Sequence, residues 1–204
     1  MFSFISDFQK KRNRAKLKDE EFDFLFHEDE SGEYVVFDTE TTGLNPKVDE
    51  ILSIGAVKIK DNKILTSQIF ELFVKNSKEI SSKSIEIHGI RHCDLENAIE
   101  SEVAIKEFLR FIGSRPLIGY YLEFDISMIN KYTKPMLGIT LPNQTKEVSE
   151  IYFDKTICLI PQGNIDLRFD TILRKCDVPN MGAHNAVNDA IMTAMIYLKL
   201  TKEK

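Results

Sequence analysis

Along most of the chain, apolar and polar positions alternate with periods that name their elements. Tyr34-Val35-Val36-Phe37 is a short run of β-formers and predicts a buried strand. Ile51–Ile59 predicts a second strand, Asp61-Asn62 marks a turn, and Ile64–Val74 predicts a third. Three consecutive strands with short connections imply an antiparallel meander. Beyond them the period lengthens. Ile99, Val103, Ala104, Phe108 and Ile112 fall on one side of a helix over Ala98–Ile112. A short strand over Pro116–Gly119, helices over Glu123–Tyr132, Leu167–Lys175 and Ala186–Leu200, and a strand or irregular crossing over Ile151–Cys158 complete the expectation. Strands first, then strands alternating with helices, describe an α/β fold. Its central mixed β-sheet combines an antiparallel meander with parallel strands, flanked by helices.

The first thirty residues follow a different rule. Gln9–Lys18 holds six basic residues and no acid, and Asp19–Glu30 then holds seven acids. Opposed charge blocks predict a solvated helix or arm over residues 1–30, with the main domain over 31–204. A surface appendage is the plainer expectation; a basic stretch that touches nucleic acid or a partner is the sharper one.

Composition narrows the class. At 204 residues, 43% hydrophobic and 29% charged, the chain has material for one cored domain. Cys93, Cys158 and Cys176 are far apart and odd in number, which excludes a disulfide framework and a thiolate zinc site and suits a reducing compartment. No apolar run approaches the ~18 residues of a membrane span. The basic residues near the start follow the apolar stretch rather than precede it, the wrong order for a secretory signal. A cytoplasmic location with no membrane partner is expected. A net charge of −5 argues against passive binding of nucleic acid by charge, but not against a site that concentrates carboxylates around cations.

Four acids stand where acids are expensive. Asp38 and Glu40 follow the first strand and, two residues apart, share a face. Asp125 has Leu122, Met128, Ile129 and Tyr132 as helical neighbours, and Asp189 has Met192, Thr193 and Ile196. A buried carboxylate costs several kcal/mol unless it is paired or metal-bound. Each could singly be a cap or a satisfied internal acceptor. Four of them, without matching basic residues, point to metal. Oxygen-only ligation favours magnesium or manganese. Four carboxylates can hold two ions, and a pair about 4 Å apart suits in-line attack on a phosphodiester. His184 lies five residues before Asp189, about 500° around a helix, so it belongs on the preceding loop Met181-Gly182-Ala183. There an imidazole can take a proton from attacking water.

These residues resemble the motifs of the DEDD exonuclease superfamily in its histidine-bearing, DnaQ-like branch (DEDDh). That branch includes the proofreading ε subunit and the exonuclease domain of bacterial DNA polymerase III. The first motif is Val36-Phe37-Asp38-Thr39-Glu40-Thr41-Thr42-Gly43-Leu44, running on into Asp49–Val57. The second is Phe124-Asp125. The third is His184-Asn185-Ala186-Val187-Asn188-Asp189-Ala190, then Thr193-Ala194. Ile87-His88-Gly89-Ile90 resembles an intermediate element. The resemblance runs from about Glu33 to the C-terminus.

It implies a ribonuclease H-like fold. It implies two Mg2+ (or Mn2+) ions held by Asp38, Glu40, Asp125 and Asp189, His184 as general base, and Thr41, Leu44 and His88 at the terminal nucleotide. Gly119-Tyr120-Tyr121 departs from the Gly-His-Asn common in the family. The implied activity is a 3′→5′ exonuclease that releases nucleoside 5′-monophosphates from single-stranded or mismatched 3′ ends, DNA favoured. A DNA polymerase or repair complex is the candidate partner. The short segment after the last helix makes a stand-alone enzyme the simpler expectation. An RNA-trimming exonuclease and a catalytically silent nucleic-acid-binding module on the same fold are the alternatives.

Overall fold

The computed structural model describes residues 2–78, 80, 82–157, 164–182 and 184–202. Among these, six strands form one mixed sheet. Strand β1 (Glu33–Thr41) lies antiparallel to β2 (Ile51–Lys60). The turn between β2 and β3 (Lys63–Ile64) is made by Asp61 and Asn62, both at positive φ. The expected third strand is broken by a 3-10 turn at Thr66–Gln68, so β3 and β4 (Phe70–Phe73) each pair separately with β2. On the other side β1 pairs in parallel with β5 (Leu117–Gly119), and β5 pairs in parallel with β6 (Thr145–Glu147).

Helices cover both faces, and the alternation along β1 decides which side chain meets which layer. Val35 and Phe37 face a core shared with α3 (Ser101–Ile112) and α4 (Leu122–Leu137). Val36 faces a second core shared with α5 (Val148–Ile157), α6 (Phe169–Lys175) and α7 (Ala186–Thr201). The segment expected as a strand or crossing over Ile151–Cys158 is therefore helix α5 up to Ile157. It buries Val148 and Tyr152, four residues apart on one face. Cys158 and Ala183 lie outside the described residues. A small third cluster around Leu52, Ile80, Ile90 and Leu95 receives Ile85 from the short α2 (Ser82–His88).

Packing does not stop at the expected boundary near residue 30. Helix α1 (Phe2–Arg14) leads to a 3-10 helix, Glu20–Phe26, whose Phe22, Leu25 and Phe26 are buried in the same core as Phe37 and Phe108. The opposed charges meet one another: Arg14 pairs with Asp23, and Arg110 of α3 with Glu21. The basic stretch is tied to the far end of α4. Lys18 Nζ donates to Pro135 O at 2.9 Å, and Asn13 exchanges hydrogen bonds with Thr140.

One close approach sets the height of α7 over the sheet. Gly55 of β2 is the cross-strand partner of Asp38. A Cβ built on Gly55 would stand 2.3 Å from Ala186 C and Val187 N, backbone atoms of the first turn of α7. Only a glycine lets that turn lie directly over the strand. Gly55→Ala must push rigid backbone away, so it should cost about 1–3 kcal/mol of stability, as overpacking does. Urea denaturation measures this, and an unchanged midpoint would contradict the contact.

Candidate active site

The strand alternation that built the two cores also builds the site. Asp38 and Glu40 lie inside β1 and continue the face of Val36, toward α7. Thr39 continues the face of Val35 and Phe37, toward α4. From α7 comes Asp189, and Asp38, Glu40 and Asp189 each present an oxygen within 4.8 Å of the others. From α4 comes Asp125, only 4% exposed. Its Oδ1 accepts the Thr39 backbone N–H at 3.0 Å and the Thr39 hydroxyl at 2.6 Å. Asp125 is thereby moored to the strand from the opposite layer.

The charges are unrelieved. Burial first, then the carboxylates of Asp125, Glu40 and Asp189, hold the Asp38 carboxyl well above its usual range. Burial, with Asp189 and Asp125 behind it, pushes Glu40 up from 4.5 to about 7. Burial also raises Asp125, against the lowering effect of its Thr39 bonds, and raises Asp189. Asp189 Oδ2 accepts the backbone N–H of His184 at 2.9 Å, while its Oδ1 is buried without a partner. Oxygen-only donors, mutual repulsion and an orphaned buried carboxylate oxygen together fit a hard divalent cation.

Two loops complete the walls. After β1 the chain turns through Thr41, whose hydroxyl donates to Gly43 O at 2.8 Å. Asp49 pins this loop by accepting the Asn45 N–H at 2.8 Å. It packs so tightly on Gly43 that a Cβ there would meet Asp49 Oδ2 at 2.6 Å. The locked loop holds Leu44 out in solvent, 86% exposed. Across the cleft, Gly182 (φ 91) precedes His184 (φ 66), which is exposed, and Asn185 then caps α7 by accepting the Asn188 N–H. His184 thus stands on the loop, off the face of Asp189, as its spacing implied. His88 is buried. Its Nδ1 accepts the Ile90 N–H at 3.0 Å and its Nε2 has no partner. Burial, then the nearby His184, lowers its pKa.

All eight residues singled out in the sequence line one cleft of about 510 Å³: Asp38, Glu40, Thr41, Leu44, His88, Asp125, His184 and Asp189. Sequence reasoning missed Arg168, Phe169 and Asp170, which enter the same cleft from the start of α6. A short helix whose cleft residues precede or open its first turn carries no periodic signal for them. Arg168 is the one Arg or Lys among the described residues lining the cleft, and Asp166 already engages it at 2.6 Å. Among the described residues, no unpaired lysine or arginine of the cleft wall faces the acids.

The exonuclease family model RNase_T matches residues 35–197. The chain is 31% identical over 173 residues to DNA polymerase III PolC-type of Thermotoga petrophila, covering 85% of this chain and 12% of that protein. It is 36% identical over 172 residues to the PolC-type polymerase of Caldanaerobacter subterraneus, covering 84% of this chain and 12% of that one. Among solved structures, E. coli exonuclease I in complex with a dA16 oligonucleotide superposes with a TM-score of 0.69 at 14% identity. The overlap covers 83% of this chain and 41% of that chain.

The raised acid pKa values carry a sign that can be measured. A carboxyl whose folded pKa is raised favours the protonated form, so the metal-free fold loses stability as pH climbs from the unfolded value to the folded one. For Glu40 that window runs from 4.5 to about 7. In chelator, Glu40→Gln should melt above wild type at pH 8 and close to it at pH 5. An equal gap at both pH values would show that Glu40 is not held among like charges.

Proposed function

The chain belongs to the RNase_T exonuclease family, and on that premise we propose that it is a metal-dependent 3′→5′ exonuclease acting on unpaired DNA ends. The carrying observation is convergence. Acids from β1, α4 and α7, and a histidine from the loop before α7, meet in one cleft on a ribonuclease H-like fold. The chain spans about 12% of the length of the polymerases it matches, so their activity and partners come to it only as part of this proposal.

Asp38, Glu40, Asp125 and Asp189 would hold two magnesium or manganese ions. Bound there, these would supply positive charge to the scissile phosphate and to the leaving 3′-oxygen. The chain's own groups do the rest. His184, on its glycine-preceded loop, takes the proton from the attacking water, a task suited to an imidazole near neutral pH. Asp189 accepts the His184 backbone N–H and so ties the loop to the acid cluster. Thr41 and Leu44, on the loop pinned by Asp49, and His88, with its unpartnered Nε2, border the space for the terminal nucleotide.

The substrate preference for DNA rests on the polymerase relatives, as does a replication or repair complex as partner. A cytoplasmic location follows from the same reading; no helix among the described residues is long and apolar enough to cross a membrane. Residues 31–204 form the exonuclease domain, with the N-terminal segment as its packed extension.

Single-stranded DNA and RNA labelled at either end, incubated with magnesium, should shorten stepwise from the 3′ end, DNA faster. Asp38→Ala and excess chelator should both abolish the reaction. Cleavage that persists in chelator would refute the metal mechanism. His184→Ala should lower kcat by roughly 10²–10⁴-fold, the usual worth of a general base, with little change in KM. A variant with wild-type turnover would take His184 out of that role.

A further inference from the structure

The acids of the cleft explain its floor, and Tyr121 is unexplained by stability. It stands on the cleft wall at φ 58 and ψ 32, in the left-handed region that costs a bulky L-residue energy. The backbone there starts α4, with Tyr121 O accepting the Phe124 N–H at 2.9 Å, but that role asks nothing of the side chain. The residue is 72% exposed. Its one ring contact among the described residues is with Tyr120, centroids 5.8 Å apart and planes tilted by 59°. Tyr120 is anchored instead. Its ring lies 4.9 Å from Phe169 and its hydroxyl donates to Leu167 O at 3.0 Å. The two tyrosines therefore form a fixed inner ring and an outer ring offered to solvent.

The surroundings select what that outer face can take. On the side away from the acids, Tyr121 borders a second cavity of about 640 Å³ whose wall includes Glu123, Glu147 and Glu150. A phosphate backbone is repelled from that wall. On the cleft side stands Leu44, apolar and almost wholly exposed. A flat, uncharged, polarisable group is what an aromatic face and a leucine can hold, and a nucleobase is such a group.

We propose that Tyr121 is a stacking platform for the unpaired base of the 3′-terminal nucleotide, and so makes this chain select frayed or single-stranded ends. A paired base keeps its faces in the duplex stack and cannot use the platform. The inference rests on the exonuclease reading above and adds to it the residue that reads the end.

The test pairs protein and substrate changes. Wild type, Tyr121→Phe and Tyr121→Gly meet an oligonucleotide with a natural 3′ end and one with an abasic tetrahydrofuran at that end. Both KM in magnesium and binding by fluorescence anisotropy, with calcium as the only divalent cation, are read. Tyr121→Gly should weaken binding of the natural end about 10-fold, the scale of one base–aromatic stack. Tyr121→Phe should bind as wild type, and the abasic end should be indifferent to all three. The glycine variant should melt at or above wild type, because glycine accepts the left-handed backbone. Equal losses on both ends, or a fall in melting temperature that tracks the lost binding, would overturn the platform. Base-dependent binding without any cleavage would leave the platform standing and remove the exonuclease reading. Cleavage without base dependence would remove the platform alone.

Discussion

Three carboxylates whose oxygens lie within 4.8 Å of one another are the constraint around which the rest of this molecule is arranged. At about 4 Å, like charges repel by roughly 1 kcal/mol in water and roughly 4 kcal/mol at the effective dielectric of a protein surface. Left to themselves, such groups separate. Here they cannot, because each is carried by an element locked by packing elsewhere. Asp38 and Glu40 ride a strand clamped between two cores. Asp189 rides a helix whose first turn rests on Gly55, the cross-strand partner of Asp38. Asp125 is held by two hydrogen bonds from Thr39. Stability invested in the layers is what keeps the charges together.

Much of this was legible. The run Tyr34–Phe37 announced a buried strand, and the two-residue spacing of Asp38 and Glu40 put both acids on one face; which layer each face of β1 meets, and where Thr39 points, depends on the two cores. Helical spacing placed Asp125 and Asp189 on inward stripes, and angular separation put His184 on a loop. What stayed hidden depended on partners distant in sequence. Ile151, Tyr152 and Phe153 look like strand residues; only burial of Val148 and Tyr152 on one face makes α5 a helix. The bond from Thr39 to Asp125 spans 86 positions. Arg168 and Asp170 reach the cleft because α6 packs against α7, and no local pattern announces that.

Charge shows the same division between local and global readings. A net charge of −5 with a basic N-terminal stretch invites a picture of a solvated cationic helix or arm. The structure engages some of those cations with the protein itself. Arg14 meets Asp23, and Lys18 meets the carbonyl of Pro135, near the C-terminal end of α4. Asp125 lies ten residues earlier on that helix, about 15 Å along its axis. The basic stretch braces the domain from the end of α4 opposite the cleft. Arg168, the one arginine among the described residues of the cleft wall, is likewise already paired. Among the described residues, the cleft wall offers the acids no unpaired arginine or lysine.

Backbone strain is distributed in keeping with that economy. Among the described residues, five non-glycine residues have positive φ. Asp61 and Asn62 form the hairpin turn that demands it, and such short polar residues adopt it readily. Asp177 follows the end of α6, a usual place for left-handed backbone. Tyr121 and His184 remain, and both stand on the walls of the one cleft. Neither is glycine, neither is buried, and each immediately precedes or nearly precedes a helix that carries an acid of the cluster. The backbone twist that starts α4 aims a tyrosine ring outward, and the one that leads into α7 presents a histidine. Strain is tolerated where a side chain must face the cleft while the helix behind it faces the core. The same two bends that place the acids therefore also place the groups that can meet a substrate.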